Sequence, residues 1–358
     1  MIPSPSTSVL RLVTALARTA AGYGADVLTH VRARVAPGRT DGFKTVTLTL
    51  NDRTREVSAA GVVNATGVWA GDIESDVTVT PSRGTHIVVD AEKVGNPTGA
   101  LTVAVPGSIN RFCFILPNQL GRCYIGLPDE KAQLADVPEA PESDVQWILD
   151  VVNQGLETTL TTDDVLGAFT GLRPLAQLRS ASDVGSTTDL SREHLILNNH
   201  GVVTVTGGKL TEYRLMAEQT IDELLDDDSV RTHLSCNPAP CSTKSIALVG
   251  ASLERSPRIS GNIATASAVA TMPPRSLVER YGAEAYNVLA ACALDNATER
   301  IAGLDITRAE LSYAVTHEGA ISVDDILDRS TRIGLVAADR AAAEPAAREA
   351  LAAAGVQA

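Results

Sequence analysis

The segment Gly201–Glu218 (GVVTVTGGKLTEYRLMAE) combines an apolar strand, two glycines, a lysine and an amphipathic helix. A ligand can touch backbone N–H groups at such a turn, because glycine has no side chain to shield them. The helix dipole adds partial positive charge, and Lys209 adds a full charge. Gly207, Gly208 and Lys209 therefore predict a site for an anionic or electron-rich group. The alternative is a tight strand-to-helix turn with a solvated lysine.

A second strand end has a similar character. Val62 and Val63 lead into Asn-Ala-Thr-Gly at residues 64–67. Small residues at the carboxyl end of a strand allow a flat cofactor to approach the backbone. The alternative is an ordinary strand-to-loop turn.

Three further side chains are candidates for contact with a substrate. His86 lies in the middle of a predicted strand, where an imidazole is usually structural but has a suitable pKa for a general base. Arg173 stands between a leucine and a proline, and a buried guanidinium needs an anion or a carboxylate. Arg192 opens a segment that contains His194, for which a surface turn is the alternative.

Two familiar motifs are incomplete. The glycines at 22 and 24 follow a helix, whereas a dinucleotide-binding G-x-G-x-x-G must follow a strand, and no strand-linked copy occurs in the sequence. His317-Glu318 lacks the second histidine of H-E-x-x-H, because position 321 is isoleucine, so it predicts no zinc site.

Composition narrows the class of protein. The net charge of −13 argues against nucleic-acid binding, although a small anionic substrate needs only a local cationic cluster. Five cysteines without metal spacing predict reduced thiols of a cytoplasmic protein, with a Cys113–Cys123 contact across a hairpin as the alternative. Neither a membrane-spanning run nor a signal peptide is evident.

Hydrophobic periodicity predicts an α/β fold with α+β elements. It indicates a helix over Val9–Ala20, a strand over Val27–Val31, and a hairpin within Arg111–Gly126. Beyond the acidic patch at Asp226–Asp228 only helices are expected, and the Ala-rich tail from Ala337 predicts a solvated, fraying helix. The pattern fits a nucleotide-binding domain joined to an antiparallel substrate sheet, followed by an all-α C-terminal domain.

Taken together, these segments resemble the FAD-dependent, quinone-linked glycerol-3-phosphate dehydrogenases. The matching stretches follow one order through nearly the whole chain: VVNATGVWAGDI, PSRGTHIVV, FILPNQLGRCYIGLPDE, GAFTGLRPL, LSREHLI, GGKLTEYRLMAE, PCSTKSIALVGA, ERYGAEA and HEGAISVDDILDRSTRIGL. The resemblance implies an N-terminally truncated, partly Rossmann-like FAD and substrate domain (1–228), a linker (229–245) and a helical domain (246–358).

The resemblance implies oxidation of sn-glycerol 3-phosphate to dihydroxyacetone phosphate, with hydride passing from C2 to flavin N5. His86 would take the C2 hydroxyl proton, Arg173 would orient the substrate, and Lys209 with Arg192 would bind phosphate. The implied FAD contacts are Asn64, Ala65, Gly67, Trp69, Gly207, Gly208, Lys209, Leu210 and Thr211. Quinone, or oxygen in an oxidase relative, would accept the electrons. The resemblance also suggests a homodimer and peripheral contact with the inner face of the cell membrane.

The sequence also departs from the family pattern. The family begins with a G-x-G-x-x-G unit and an early segment with a further arginine, so this chain is expected to start within the pattern. Leu127-Pro128 replaces two threonines of the hairpin, and Glu212 replaces a third. An inactive fragment, one half of a split enzyme and a flavin enzyme acting on an amine or amino acid are therefore the alternatives.

Overall fold

The computed structural model describes residues 9–36, 42–126, 129–179, 193–251 and 272–356. The strands are β1 (Arg32–Val35), β2 (Lys44–Leu50), β3 (Arg53–Ala59), β4 (Val62–Asn64), β5 (Val77–Asp90), β6 (Leu101–Ala104), β7 (Phe112–Pro117), β8 (Arg122–Gly126), β9 (Glu130–Lys131), β10 (Gly167–Leu178), β11 (His194–Asn199) and β12 (Val202–Gly207). The helices are α1 (Val9–Gly22), α2 (Ala70–Ile73), α3 (Glu142–Val152), α4 (Tyr213–Asp226), α5 (Asp228–Arg231), α6 (Arg275–Tyr281), α7 (Ala285–Ala290), α8 (Arg308–Glu318) and α9 (Ala337–Ala353).

The largest sheet has the strand order β10-β5-β8-β7-β6, with β9 added beside β5, and its pairs are antiparallel. One face of this sheet packs on α3, where Ile87, Ile125 and Ile148 are fully buried. Since side chains alternate along a strand, the neighbouring residues of β5 and β8 face away from α3. That opposite face carries His86.

A smaller sheet has the order β11-β12-β4. Strand β12 is antiparallel to β11 and parallel to β4, with Val202 opposite Val62 and Thr204 opposite Asn64. Strands β1, β2 and β3 form a separate antiparallel sheet. The mixed α/β architecture with a large antiparallel sheet and C-terminal helices confirms the predicted fold class.

The strand predicted over Val27–Val31 is wrong. This segment has no regular structure, Leu28 is exposed, and the strand β1 begins only at Arg32. His30 has a φ of 58°, which breaks an extended run, and the ladder to β2 starts beyond it with Arg32 opposite Thr49.

The prediction of a fraying, solvated tail is also wrong. Helix α9 is 17 residues long, and its buried residues Ala343, Ala347, Ala350 and Leu351 lie in the core of the C-terminal helices. Alanines spaced by three and four residues form one face of a helix, and their small size allows close packing. The charged residues lie on the other faces of the helix, and they led to the prediction that the whole tail is exposed to solvent.

Helix α1 joins the N-terminal part to these helices through two arginines. Arg11 donates two hydrogen bonds to Glu318, at 2.6 and 2.7 Å, and Arg18 donates to Glu284 at 2.7 and 2.9 Å. The Arg18–Glu284 pair joins two guanidinium nitrogens to two carboxylate oxygens, so it fixes geometry as well as charge.

All five cysteines are free thiols, as predicted. Cys113 lies opposite Val103 and Cys123 opposite Pro117, so the two do not face each other across the hairpin. Burial raises the pKa of the Cys123 thiol to about 11. In the part of the chain that the structure describes, no helix is long and apolar enough to span a bilayer.

Candidate active site

The two predicted glycine-containing loops lie side by side. Strands β4 and β12 are parallel neighbours, so their carboxyl ends meet at one edge of the sheet. The Thr206 hydroxyl donates a hydrogen bond to the carbonyl oxygen of Gly67, with an O···O distance of 3.1 Å. This bond connects the loop after β4 directly to the end of β12.

The turn after β12 differs in detail from the sequence prediction. Gly207 has a φ of +79°, and a Cβ atom there would lie 2.9 Å from the carbonyl oxygen of Glu193, so a larger residue does not fit. The α-helix does not begin directly after Lys209. A 3-10 turn over Leu210–Glu212 intervenes, and α4 begins at Tyr213.

The Asn64 side chain serves the protein's own structure. It is buried, and its amide donates to the Ala70 carbonyl at 3.0 Å and to the Thr204 hydroxyl at 3.1 Å. Its carbonyl oxygen accepts a 2.7 Å hydrogen bond from the Thr66 hydroxyl. Because these bonds occupy the side chain, any contact of Asn64 with a cofactor would involve its backbone.

The edge formed by the two loops fits a flat, largely apolar group. Trp69 and Leu210 are 37% and 47% exposed there, and Ala65 and Thr211 are exposed beside them. A Cβ added to Gly67 would enter open space. A cleft of about 1280 Å³ adjoins this edge and is lined by Thr66 and Trp69, but its lining includes neither His86 nor Arg173. That is ample room for an extended cofactor.

His86 is held flat on the outer face of the large sheet. It lies opposite Phe169 on β10 and Gly126 on β8. A Cβ on Gly126 would lie 2.6 Å from the His86 ring, so glycine is required for the ring to rest on β8. Burial, together with the charges of Arg173 and Arg332, lowers the pKa of His86 to about 4. The imidazole is therefore neutral at physiological pH.

Arg173 shares this face, four residues beyond Phe169 on the same strand and opposite Ser82. Its Nη1 atom lies 3.3 Å from Asp129 Oδ1, and the Ser82 hydroxyl also donates to that carboxylate. The anion that a partly buried Arg173 was predicted to need is thus supplied in part by Asp129.

Between the levels of His86 and Arg173, the residues of β5 and β10 that share this face are both glycines. Gly84 and Gly171 lie opposite each other there, and a Cβ on Gly171 would meet no atom within 4 Å. Four residues of strand separate the His86 and Ser82 levels, about 13 Å along β5. We call the Gly84–Gly171 pair the glycine floor, and it lies between the level of His86 at one end and that of Arg173 at the other.

Sequence reasoning missed three residues of this site. Phe169 stacks on His86, Tyr124 meets Phe169 edge-on at 5.2 Å, and the guanidinium of Arg332 lies 4.7 Å from the centroid of Phe169. The four-residue spacing of Phe169 and Arg173 was a usable signal, since it places both on one face of a strand. No local pattern points to Arg332, which comes from the C-terminal helices.

The structure describes no contact between the glycine floor and the predicted phosphate-binding residues. Lys209 is exposed at the end of β12. Arg192, Leu127 and Pro128 lie outside the described residues.

Comparison with known proteins decides the family. The family model of FAD dependent oxidoreductases matches residues 4–214. The chain belongs to this family. Its predicted cofactor, FAD, is therefore confirmed, and the two-loop edge described above fits that group. Residues 241–355 match the C-terminal domain of alpha-glycerophosphate oxidase.

Individual relatives of this family member agree with the predicted resemblance. Glycerol-3-phosphate dehydrogenase 1 of Mycobacterium tuberculosis is 47% identical over 346 residues, covering 95% of this chain and 63% of its own length. A mitochondrial glycerol-3-phosphate dehydrogenase of Arabidopsis thaliana is 29% identical, covering 93% of this chain and 55% of its own. The chain thus spans just over half to under two thirds of these relatives.

A solved structure shows the same fold. The glycerol-3-phosphate dehydrogenase from Bacillus halodurans, complexed with FAD, superposes with a TM-score of 0.72 at 25% identity. The superposition covers 96% of this chain and 69% of that one.

Proposed function

We propose that the protein takes part in the FAD-dependent oxidation of sn-glycerol 3-phosphate to dihydroxyacetone phosphate. The observation that carries this proposal is the glycine floor between His86 and Arg173. The turn Gly67–Trp69 packs against β5 and β10, the two strands that carry His86 and Arg173. Similarity to glycerol-3-phosphate dehydrogenases supports the choice of substrate.

His86 is the proposed general base. A neutral imidazole can accept the proton of the C2 hydroxyl, and the ring's position is fixed by Phe169 and Gly126. A phosphate dianion bound nearby offsets the positive charge of Arg173 and Arg332, which raises the pKa of His86 toward the working pH. Substrate binding thus prepares the base.

Arg173 is proposed to orient the substrate from the other end of the floor. Lys209 and Arg192 are proposed to bind its phosphate, Lys209 from the exposed end of β12. A guanidinium suits bidentate contact with phosphate oxygens, whereas an ammonium acts as a point charge.

The proposed flavin contacts are the loop at Asn64, Ala65, Gly67 and Trp69, and the turn at Gly207, Gly208, Lys209, Leu210 and Thr211. FAD, when bound, supplies the acceptor for the hydride that leaves C2. The backbone N–H groups of Gly207 and Gly208 would stabilise negative charge on the reduced cofactor. Exposed Trp69 and Leu210 would be covered by the ring system.

The finer assignments rest on the family resemblance. We infer that quinone accepts the electrons, that the protein acts on the cytoplasmic side with peripheral contact to the membrane, and that it forms a homodimer. No nucleic-acid partner is proposed, in keeping with the charge of −13.

Dye reduction by the FAD-loaded protein tests the substrate. Glycerol 3-phosphate should support turnover, whereas glycerol and glycine should not. Turnover with glycine but not with glycerol 3-phosphate would show that the substrate is an amino acid, bound through its α-carboxylate, and not a phosphate ester. The variant His86→Asn should lower kcat by about 100-fold or more, with FAD binding retained, because it removes the base and keeps a similar shape.

A further inference from the structure

Arg332 reaches the proposed substrate floor from the C-terminal helices. It follows a π-helix over Asp325–Ser330 and precedes a 3-10 turn over Ile333–Leu335. Its guanidinium carbon lies over the face of Phe169, its charge acts on His86, and it donates a hydrogen bond to the Tyr124 hydroxyl. A guanidinium on an aromatic face keeps its N–H donors directed to the rim of the ring, where a ligand can accept them.

The environment of Arg332 differs from that of the other arginines in its domain. Between residues 272 and 356, each of the other seven arginines has a carboxylate within 4.0 Å. No carboxylate among the described residues lies within that distance of Arg332. A half-buried guanidinium without a carboxylate is the arrangement expected where an external anion binds.

The backbone around Arg332 is held in place at some cost. Arg332 has a φ of 62°, a conformation that L-residues rarely adopt. Thr331 and Ile333 on either side are buried, and the Thr331 hydroxyl donates to the Ile326 carbonyl at 2.8 Å. The segment also docks tightly on β10, because a Cβ on Gly167 would lie 2.0 Å from the Leu335 carbonyl oxygen. Retained strain of this kind is typical of functional positions.

We propose that Arg332 joins Lys209 and Arg192 in binding the anionic group of the substrate, so that the C-terminal helices complete the active site. This inference rests on the proposed function for the identity of that group, a phosphate monoester. Arg332 and Arg173 would then hold the substrate over the glycine floor between them, with the C2 hydroxyl left to His86. The docking of the C-terminal helices on β10 thereby becomes a requirement for substrate affinity.

The test uses Arg332→Gly, because glycine adopts the observed φ without strain and removes the whole side chain. The KM for glycerol 3-phosphate should rise by about tenfold or more, while kcat changes much less. The Kd of the free protein for inorganic phosphate, measured by calorimetry, should rise in parallel. Arg332→Lys should recover part of both, since it restores the charge without the fork.

The matched control is Arg329→Ala, which removes an exposed arginine three residues away that pairs with Asp325. It should leave the KM and the phosphate Kd unchanged. An Arg332→Gly protein with wild-type KM and phosphate Kd would overturn the inference. A wild-type protein that ignores glycerol 3-phosphate but loses phosphate affinity on Arg332→Gly would refute the proposed function alone.

Discussion

The imidazole of His86 lies parallel to the ring of Phe169, with the two centroids 5.0 Å apart and the planes inclined by 8°. Strand pairing brings these two rings together, because His86 and Phe169 are directly opposite in the β5–β10 ladder. The stack removes one face of the imidazole from water and fixes its plane. The imidazole that we propose as the base is thus oriented in the free protein.

The first prediction concerns the protonation of His86. In the free protein its pKa should be near 4, below the ordinary 6.5, because of burial and the charges of Arg173 and Arg332. The unfolded chain therefore binds more protons between these values, so the stability contributed by neutral His86 is present above pH 6.5 and is lost as the pH falls toward 4. NMR titration of the histidine rings measures this directly. Arg173→Ala should raise the pKa, and a His86 that titrates at 6.5 would contradict the structure.

The glycine floor gives a second prediction. Gly171→Val should leave the melting temperature unchanged or slightly higher, because a Cβ there meets no atom of the described residues within 4 Å and valine favours strands. The same side chain would occupy the space between His86 and Arg173, so the KM for glycerol 3-phosphate should rise about tenfold or more. The control is Gly99→Ala, also in open space but outside the sheet. Unchanged steady-state kinetics for Gly171→Val would show that the substrate does not bind over the glycine floor.

The link between the flavin loops gives a third prediction. Thr206→Val keeps the shape of a buried residue but deletes its hydrogen bond to Gly67, which should cost about 1 kcal/mol of unfolding free energy. Freed from β12, the loop at Gly67 should also bind FAD more weakly. Flavin fluorescence quenching measures that affinity. Thr49→Val on β2 is the control. Equal FAD affinities in the two variants would show that the Thr206–Gly67 hydrogen bond does not contribute to FAD binding.

The fourth prediction tests the docking of the C-terminal helices. Gly167→Ala places a methyl group against the Leu335 carbonyl and should displace the segment that carries Arg332. The KM for glycerol 3-phosphate should therefore rise as it does in Arg332→Gly, although residue 167 lies outside the glycine floor. A crystal structure of the variant would show the displacement. Wild-type kinetics together with a displaced segment would count against a role of the C-terminal helices.

The alanine face of α9 gives a fifth prediction. Ala347 is fully buried, so Ala347→Leu should lower the unfolding free energy by about 1–3 kcal/mol through overpacking. Ala342→Leu adds the same atoms on the exposed face and should be nearly neutral. Thermal unfolding of both variants distinguishes a packed α9 from a solvated one.

Secondary structure was predicted best where an apolar pattern in the sequence had one physical cause, namely burial of a strand. The strand predicted through His86 is part of β5, and the buried run Val202–Thr206 marked the end of β12 correctly. Apolar residues alone misled at Val27–Val31, since a strand also needs a partner ladder. Composition misled at α9, because alanine does not reveal by itself whether it is packed or solvated.

Contacts between distant segments could not be predicted from local patterns. Arg332 meets Phe169 only because the C-terminal helices fold back onto β10, and the role of Gly167 appears only once Leu335 lies against it. Similarly, the sequence did not show that the Asn64 side chain bonds to Ala70, Thr204 and Thr66, which leaves its backbone for the predicted cofactor contact. Such assignments depend on tertiary structure.

The most direct test of the account is the visible spectrum of the FAD-loaded protein under anaerobic conditions. Adding glycerol 3-phosphate should bleach the oxidised flavin band within one turnover, with formation of dihydroxyacetone phosphate, whereas glycerol and glycine should leave the band intact. In His86→Asn the bleaching should be slower by about 100-fold or more. A bound flavin that glycerol 3-phosphate leaves fully oxidised would contradict the proposed function.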